Sequence, residues 1–92
     1  MILSFSDKDT EELFRTESNR RYSQIARVAT RKLTALDAAE QIEDMAVPPG
    51  NRLEKLAGDR SGQHSIRIND QYRICFVWTD GGADDVEITD YH

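Results

Sequence analysis

The most constraining feature of this sequence is an apolar–polar alternation with a period of two in its last third, Gln63 to His92. Such a period over long runs is typical of half-buried β-strands, with even-numbered side chains on one face and odd-numbered side chains on the other. Asn69-Asp70 and Asp80-Gly81-Gly82 separate the runs and favour hairpin turns, so the third run begins at Asp85. The sequence therefore predicts three consecutive antiparallel strands and a short charged tail. The alternating apolar positions are Ile66, Ile68, Tyr72, Ile74, Phe76, Trp78, Val86 and Ile88.

The first half of the chain is predicted to cover one face of that sheet with helices. Met1 to Phe5 is apolar enough for an edge strand, and Ser6 or Asp9 can cap a short helix after it. A longer helix is predicted over Arg20 to Leu36, where apolar residues recur at three- and four-residue steps.

Shorter elements are predicted between that helix and the hairpins. Ala38 to Met45 repeats apolar residues every three positions, and Asp37 can cap it. Pro48 and Pro49 end the helical half, because proline lacks an N–H and disfavours helix at the preceding residue. Asn51 to Leu56 is a candidate strand. This order predicts an α+β fold, with helices packed on a mainly antiparallel sheet.

Length and composition predict one small globular domain, residues 1–92, with 38% apolar and 32% charged residues. No run is long enough to span a bilayer, and the N-terminus lacks the pattern of a signal peptide, so a cytoplasmic address and no membrane partner are expected. Cys75 is the only cysteine, which excludes an intramolecular disulfide and a cysteine-rich zinc site.

The net charge of -5 argues against bulk affinity for nucleic acid, but the charges are segregated. Residues 15–32 hold six bases and one acid, residues 52–73 hold five bases and three acids, and residues 80–90 hold five acids and no base. Such a surface can present a basic face to an anion. Solvated faces without a partner are the alternative interpretation.

Groups suited to phosphate chemistry gather in the sheet half. Arg67 and Arg73 are both odd-numbered and lie on neighbouring predicted strands, so their guanidinium groups could hold one phosphate. Asp90, Tyr91 and His92 follow the third strand. A metal-independent ribonuclease needs a base for the ribose 2′-OH, cations for the phosphorane and an acid for the leaving 5′-oxygen. Histidine suits either proton transfer near neutral pH.

Plainer roles fit the same residues. His92 ends the chain, where side chains are often solvated, and His64 suits a packing role. Arg73 could form a structural ion pair with Glu87 or Asp90. The sequence shows no metal-ligand spacing, no phosphate-binding glycine loop and no nucleophile elbow.

The run from Pro48 to His92 resembles the HigB family of bacterial toxins, within the RelE/ParE superfamily, and is most similar to the branch that includes the toxin GraT. The segments that carry the resemblance are NRL at Asn51–Leu53, GDRSGQHSIRINDQYRICF at Gly58–Phe76 and the terminal DYH. The first half of the chain agrees more loosely, in its SFSDKDTEELF start and its two helices.

The resemblance implies a RelE-like microdomain, with two or three N-terminal helices packed on a four- to five-stranded, mainly antiparallel sheet. It implies a toxin of a type II toxin–antitoxin system, an endoribonuclease that cleaves mRNA in the ribosomal A site without metal or cofactor. The implied partners are mRNA on the 70S ribosome and a HigA- or GraA-like antitoxin with a helix-turn-helix domain, through which alone operator DNA is bound. Two surfaces are candidates for the antitoxin interface, the basic stripe of residues 20–31 and the exposed edge of the N-terminal strand.

The same resemblance assigns site residues position by position. Asp90, Tyr91 and His92 inherit the catalytic role of the family's tail, and Arg73 matches the arginine expected at the scissile phosphate. Residues expected to bind RNA or the ribosome are Glu54, Lys55, Arg60, Arg67 and Asn69.

Two departures from the family pattern change the expected activity. Many HigB toxins have LHPLKGDR where this chain has LEKLAGDR, so the family histidine falls on Glu54 and the family lysine on Ala57. Glu54 can act as a general base but cannot supply positive charge, so weaker or differently tuned cleavage is expected. Two other functions stay open. One is a toxin that blocks the ribosome, its assembly or DNA gyrase without cutting RNA. The other is a purely regulatory module.

Overall fold

A computed structural model describes residues 1–90 of the protein, and the predictions for Tyr91 and His92 lie outside the described residues. Two α-helices pack on one face of a four-stranded antiparallel sheet with the order β1-β2-β3-β4, which confirms the predicted α+β fold. No helix within residues 1–90 is long and apolar enough to cross a membrane. The elements are α1 (Lys8–Thr16), α2 (Ala26–Ala38), β1 (Glu54–Lys55), β2 (His64–Arg67), β3 (Tyr72–Thr79), β4 (Gly82–Asp90) and three 3₁₀ helices, Ile42–Ala46, Pro49–Asn51 and Gly58–Arg60.

The core lies between the helices and the even-numbered face of the sheet. The strand register pairs Ile74 with both Ile66 and Ile88, so the three side chains form one buried row across β2, β3 and β4. Each fully buried aliphatic side chain stabilises a fold by about 1.5–3 kcal/mol. The odd-numbered side chains consequently point away from the helices. Other buried core residues are Leu13, Leu33, Leu36, Met45, Phe76 and Val86.

A β-bulge interrupts this alternation on β4. Between Cys75 and Val77 of β3 the register shifts, and β4 accommodates the extra residue at Asp85, which has a φ of 52°. The bulge reverses the parity of the side chains, so that the odd-numbered Ala83 is fully buried. The predicted start of this strand at Asp85 was wrong, because the strand continues through the bulge back to Gly82.

The N-terminal segment runs parallel to β4 along the edge of the sheet. The Leu3 N–H donates to the Ala83 carbonyl at 2.7 Å, and the Ser6 N–H donates to the Val86 carbonyl at 3.0 Å. The predicted edge strand over Met1–Phe5 is therefore present as two isolated bridges rather than as a continuous strand.

The start of α1 differs from the prediction by one residue. Asp7, rather than Ser6 or Asp9, caps the helix: its Oδ2 accepts from the Thr10 N–H at 3.1 Å. The carboxylate at this position satisfies one of the amide donors that the first helical turn leaves without a partner.

The start of α2 lies further along the chain than predicted, at Ala26 rather than Arg20. The Asn19 side chain accepts from the Tyr22 N–H at 3.2 Å and holds the intervening residues in a turn. Tyr22 is buried nonetheless, as predicted from its place in the apolar stripe, but its backbone forms a turn rather than a helix.

The predicted helix over Ala38–Met45 is instead a short 3₁₀ helix, Ile42–Ala46. Asp37 does not cap it, because its carboxylate accepts from the Ile2 N–H at 2.8 Å and ties the N-terminal segment to the end of α2.

The predicted strand over Asn51–Leu56 is shortened to the two residues of β1. Asn51 ends a 3₁₀ helix, and Arg52 adopts a left-handed conformation with a φ of 47°. Such a residue breaks the extended run that pairing with β2 requires.

Gly82 generates a testable prediction about the sheet edge. Its φ is 139°, and a Cβ at this position would clash with the Met1 carbonyl oxygen. We expect Gly82→Ala to lower the free energy of unfolding by about 1–3 kcal/mol, because the backbone is strained and the N-terminal segment must leave β4. Urea unfolding measures this difference.

Gly50→Ala is the matched control, since a Cβ there meets no atom within 4 Å. Its free energy of unfolding should change by less than about 0.5 kcal/mol. Equal effects of the two substitutions would contradict the close approach of Met1 to β4.

Candidate functional site

The strand register places two arginines directly opposite each other. Arg67 on β2 pairs with Arg73 on β3, and one step further Ser65 pairs with Glu54 on β1. Directly opposed side chains share a face of the sheet. All four residues therefore lie on the face away from the helices, as the alternation predicts for Arg67 and Arg73.

Three of these residues, Glu54, Arg67 and Arg73, line a groove of about 360 Å³, which we call the arginine groove. It brings together four of the residues predicted to act on RNA, namely Glu54, Arg67, Asn69 and Arg73. It also contains two residues that the sequence analysis did not single out. The groove residues are Arg52, Glu54, Arg67, Asn69, Asp70 and Arg73.

Arg73 is held in one orientation by two hydrogen bonds. Its Nε donates to the Ser65 Oγ at 2.8 Å, and its Nη2 donates to the Arg52 carbonyl oxygen at 2.7 Å. The Nη2 also lies 3.9 Å from the Glu54 carboxylate. Only 13% of the Arg73 side chain is exposed, and Ser65 is fully buried. The guanidinium group is therefore oriented before any ligand binds, which lowers the entropy lost on binding.

Both the side chain and the backbone of Arg67 form polar contacts. Its guanidinium group pairs with the Asp70 carboxylate, and its carbonyl oxygen accepts from the Lys32 Nζ at 2.6 Å. Burial lowers the pKa of Lys32, and the positive charges of neighbouring arginines, including Arg67 and Arg73, lower it further. Arg31, Arg67 and Arg73 thus all place positive charge near Lys32 at this end of β2.

Asn69 and Asp90 lie at the turn that joins β2 to β3. The Asn69 Oδ1 accepts from the backbone N–H groups of Gln71 at 2.9 Å and Tyr72 at 2.7 Å, so its side chain closes the turn. Asp90 pairs with Tyr72 in the strand register, and its Oδ2 accepts from the Gln71 Nε2 at 2.9 Å. Asp90 thus lies at the end of the sheet that carries Arg73. The other two predicted catalytic residues follow it in the sequence, outside the described residues.

Lys55 and Arg60, two residues predicted to bind RNA, do not line the arginine groove. Lys55 is exposed and pairs with His64 in the register. The Arg60 Nη1 donates to the Glu87 Oε1 at 2.7 Å and to the Gln63 Oε1 at 3.0 Å. This ion pair joins the loop before β2 to β4, and Glu87 therefore does not form the salt bridge with Arg73 that the sequence analysis considered.

His64 packs in the sheet rather than in the groove. Its ring stacks on Phe76 with 6.3 Å between centroids, and no described residue forms a hydrogen bond with its buried Nδ1. Burial lowers the pKa of His64, and the nearby Lys55 lowers it further. Both effects favour the neutral ring, in agreement with a packing role.

Sequence reasoning missed four residues that build the site: Arg52, Ser65, Asp70 and Lys32. Arg52 and Lys32 belong to the basic clusters that composition reveals. Their contacts join segments that are 21 and 35 residues apart, and no local pattern encodes such a pairing. Ser65 occupies an odd position opposite Glu54, but its hydrogen bond to Arg73 depends on the orientation of the arginine.

Comparisons with known proteins show both the fold and the family of the chain. It aligns over 100% of its length with a chain of the YoeB-YefM complex from Staphylococcus aureus, covering 95% of that chain with a TM-score of 0.63 and 21% identity, which shows the fold. The family model for the RelE-like toxin HigB of type II toxin-antitoxin systems matches residues 3–92. The chain therefore belongs to the HigB-like toxin family, as the resemblance predicted.

Two relatives support this membership. Toxin HigB-1 of Vibrio cholerae is 45% identical over 85 residues, which cover 90% of each chain. An uncharacterized protein of Haemophilus influenzae is 39% identical over 56 residues, which cover 61% of this chain and 55% of that protein.

The contact between Ser65 and Arg73 can be tested directly. We expect Ser65→Ala to lower the free energy of unfolding by about 1 kcal/mol, because the buried Arg73 Nε–H loses its acceptor. The hydrogen-exchange rate of the Arg73 Nε–H, followed by nitrogen-15 NMR, should rise at the same time. Ser61→Ala is the control, because Ser61 is exposed on the loop before β2. An unchanged exchange rate in Ser65→Ala would show that other contacts orient Arg73.

Proposed function

We propose that this toxin is a metal-independent, ribosome-dependent endoribonuclease that cleaves mRNA in the A site and stops translation, acting as a single domain over residues 1–92. The observation that carries the proposal is the fixed orientation of Arg73. This arginine lies opposite Arg67, at the end of the sheet where Asp90 begins the terminal Asp-Tyr-His segment.

The chemistry follows from the groups that this end of the sheet brings together. A base takes the proton of the ribose 2′-OH, and the resulting oxygen attacks phosphorus. The bond from phosphorus to the 5′-oxygen then breaks, while an acid protonates the leaving oxygen. The guanidinium groups of Arg73 and Arg67 stabilise the negative charge of the phosphorane, and they act most strongly when oriented in advance.

The proton transfers are assigned to Glu54 and to the terminal segment. Glu54 lies in the groove, close enough to Arg73 to approach the same phosphate. His92 is the group in the segment that exchanges protons most readily near neutral pH. Asp90 and Tyr91 share the catalytic role of this segment, as the family resemblance implies.

The ribosome and an antitoxin are the proposed partners, which implies a cytoplasmic location. Family membership implies an antitoxin, which we propose to be HigA- or GraA-like with a helix-turn-helix domain that also binds the operator. The structural relative named above is itself part of a YoeB-YefM complex. With a net charge of -5, attraction to RNA must come from local basic patches and should fall as salt is added.

A second candidate function is a toxin of this fold that blocks its target without cutting RNA. Glu54 and Ala57 favour this alternative, because they replace the histidine and lysine that many relatives use. The carboxylate of Glu54 near Arg73 also reduces the positive charge available to a phosphorane.

Mapping the 5′-ends of cellular mRNA separates the two functions. The toxin is expressed without its antitoxin, beside Arg73→Lys and His92→Ala. We expect new 5′-ends within translated codons for the wild type, and a loss of roughly a hundredfold or more for each variant. Arg73→Lys keeps the charge but removes the two-pronged guanidinium.

The matched control is Arg15→Lys, on the exposed end of α1. It should cleave like the wild type. Growth arrest without new 5′-ends would favour the blocking toxin, and the absence of any growth effect would favour a regulatory module.

The role of Glu54 as a base has its own test. We expect Glu54→Gln to lower the cleavage rate by about a hundredfold, because the amide cannot accept the 2′-OH proton. Glu54→His, which restores the residue of many relatives, should keep or raise the rate. Cleavage by purified toxin on programmed ribosomes measures both, with the exposed Glu43→Gln as control. Full activity of Glu54→Gln would assign the base to the terminal segment.

A further inference from the structure

A second concavity, of about 370 Å³, adjoins the arginine groove. Arg67 lines both, so the two concavities meet at this residue. We call this concavity the Val47 hollow. Its walls come from α2, from the segment after the first 3₁₀ helix, and from the end of β2. The residues that define it are Arg31, Lys32, Ala35, Val47, Pro48 and Arg67.

A hydrogen-bond network holds the three walls of the hollow together. The Lys32 Nζ donates to the Arg67 carbonyl at 2.6 Å and to the Asn51 Oδ1 at 2.9 Å. The Asn51 Nδ2 donates in turn to the carbonyl oxygens of Met45 at 3.1 Å and Val47 at 3.3 Å. Asn51 is 4% exposed, so the centre of this network is buried and shapes the hollow in advance of any ligand.

The hollow combines positive charge with exposed apolar surface. Arg31 is exposed at its rim, and Lys32 uses two of its three N–H donors on the protein, which leaves the third for a ligand. Val47 is 73% exposed and stands beside Pro48. An apolar surface of this kind favours a flat, weakly hydrated group, and the cations next to it favour an anion. A nucleotide carries both groups.

We propose that the Val47 hollow is the subsite for a nucleotide that neighbours the scissile phosphate. Arg31 and Lys32 bind a phosphate of the strand, and the base packs on Val47 and Pro48. This subsite rests on the proposed function, because it extends the path of RNA through the arginine groove.

Continuity with the arginine groove favours RNA over a protein segment in the hollow. A strand whose phosphate lies at Arg73 reaches the hollow by way of Arg67, which lines both concavities. An acidic peptide of an antitoxin could bind the hollow without extending into the arginine groove. Binding of such a peptide is the competing outcome of the test.

The subsite can be tested without cleavage. We would titrate nitrogen-15-labelled toxin with a 2′-deoxy trinucleotide, which lacks the attacking hydroxyl, and separately with inorganic phosphate. The trinucleotide should shift the amide resonances of Val47, Gly50 and Asn51, whereas phosphate alone should leave Val47 unchanged. If phosphate alone reproduced every shift, the base contact would be wrong.

Two pairs of variants locate the binding. We expect Val47→Asp to weaken trinucleotide affinity roughly tenfold, through charge repulsion and loss of apolar contact. Arg31→Ala should weaken it by up to about fivefold, the range for an exposed charge contact. The first control is Leu3→Asp, which introduces the same charge at an exposed apolar residue on the sheet edge. The second control is Arg27→Ala, which removes an exposed arginine one turn earlier on α2. Both should bind like the wild type.

The outcomes distinguish this proposal from the proposed function. Wild-type affinity in both hollow variants would overturn the subsite, and so would a selective loss of antitoxin binding, which would mark a protein-docking surface. If the trinucleotide bound in the hollow but the toxin cut no mRNA on ribosomes, the proposed function would fail and the subsite would stand.

Discussion

Two arginines that face each other across β2 and β3 impose the main electrostatic constraint on this structure. Like charges at directly opposed positions of an antiparallel pair destabilise it. Asp70 pairs with Arg67, and Glu54 lies near Arg73, so each guanidinium group has a carboxylate beside it. Both carboxylates are exposed, and exposed ion pairs contribute little stability. The end of the sheet therefore keeps a concentration of positive charge that an anion would relieve.

The two faces of the sheet differ in composition. The helices and the isoleucine row supply the apolar burial, so the opposite face is free to carry charge. On that face the ion pair between Arg60 and Glu87 joins the loop before β2 to β4, next to the buried Cys75. Arg73 lies two residues along β3 from Cys75, in a setting that is buried on its core side and polar on its outer side. Such a setting orients a guanidinium group without a large domain behind it.

Much of the fold could be predicted from local pattern, and the failures have a common physical cause. The period of two identified β2 and β3 and put Arg67 and Arg73 on one face, because side-chain direction in a strand follows from sequence position alone. The bulge at Asp85 was missed, because an Asp-Asp pair looks the same in a turn and in a bulged strand. The start of α2 was placed too early, because Tyr22 keeps its place in the apolar stripe although it lies in a turn.

The basic residues of the candidate site could be predicted from the sequence, but the contacts that orient them could not. The basic residues of the groove were visible as a cluster, and the family resemblance ranked Arg73 among them. Ser65 and the Arg52 carbonyl, which orient Arg73, act through contacts between segments that only the folded chain brings together. Lys32 reaches Arg67 across 35 residues for the same reason. Sequence patterns report burial and charge, whereas positioning depends on tertiary geometry.

The departures at Glu54 and Ala57 alter where positive charge lies along the path proposed for RNA. The arginine groove holds three arginines and two carboxylates, while Arg31 and Lys32 stand in the adjoining hollow. On the proposed function, charge beside the scissile phosphate stabilises the transition state, whereas charge further along the strand binds substrate and transition state alike. Binding of the second kind lowers KM without raising kcat. If the proposed function holds, a carboxylate near Arg73 and cations in the hollow suit a toxin that holds RNA firmly and cuts it slowly. On the proposed function, slow cleavage on a bound ribosome would still remove that ribosome from translation, and binding alone would supply part of the toxic effect.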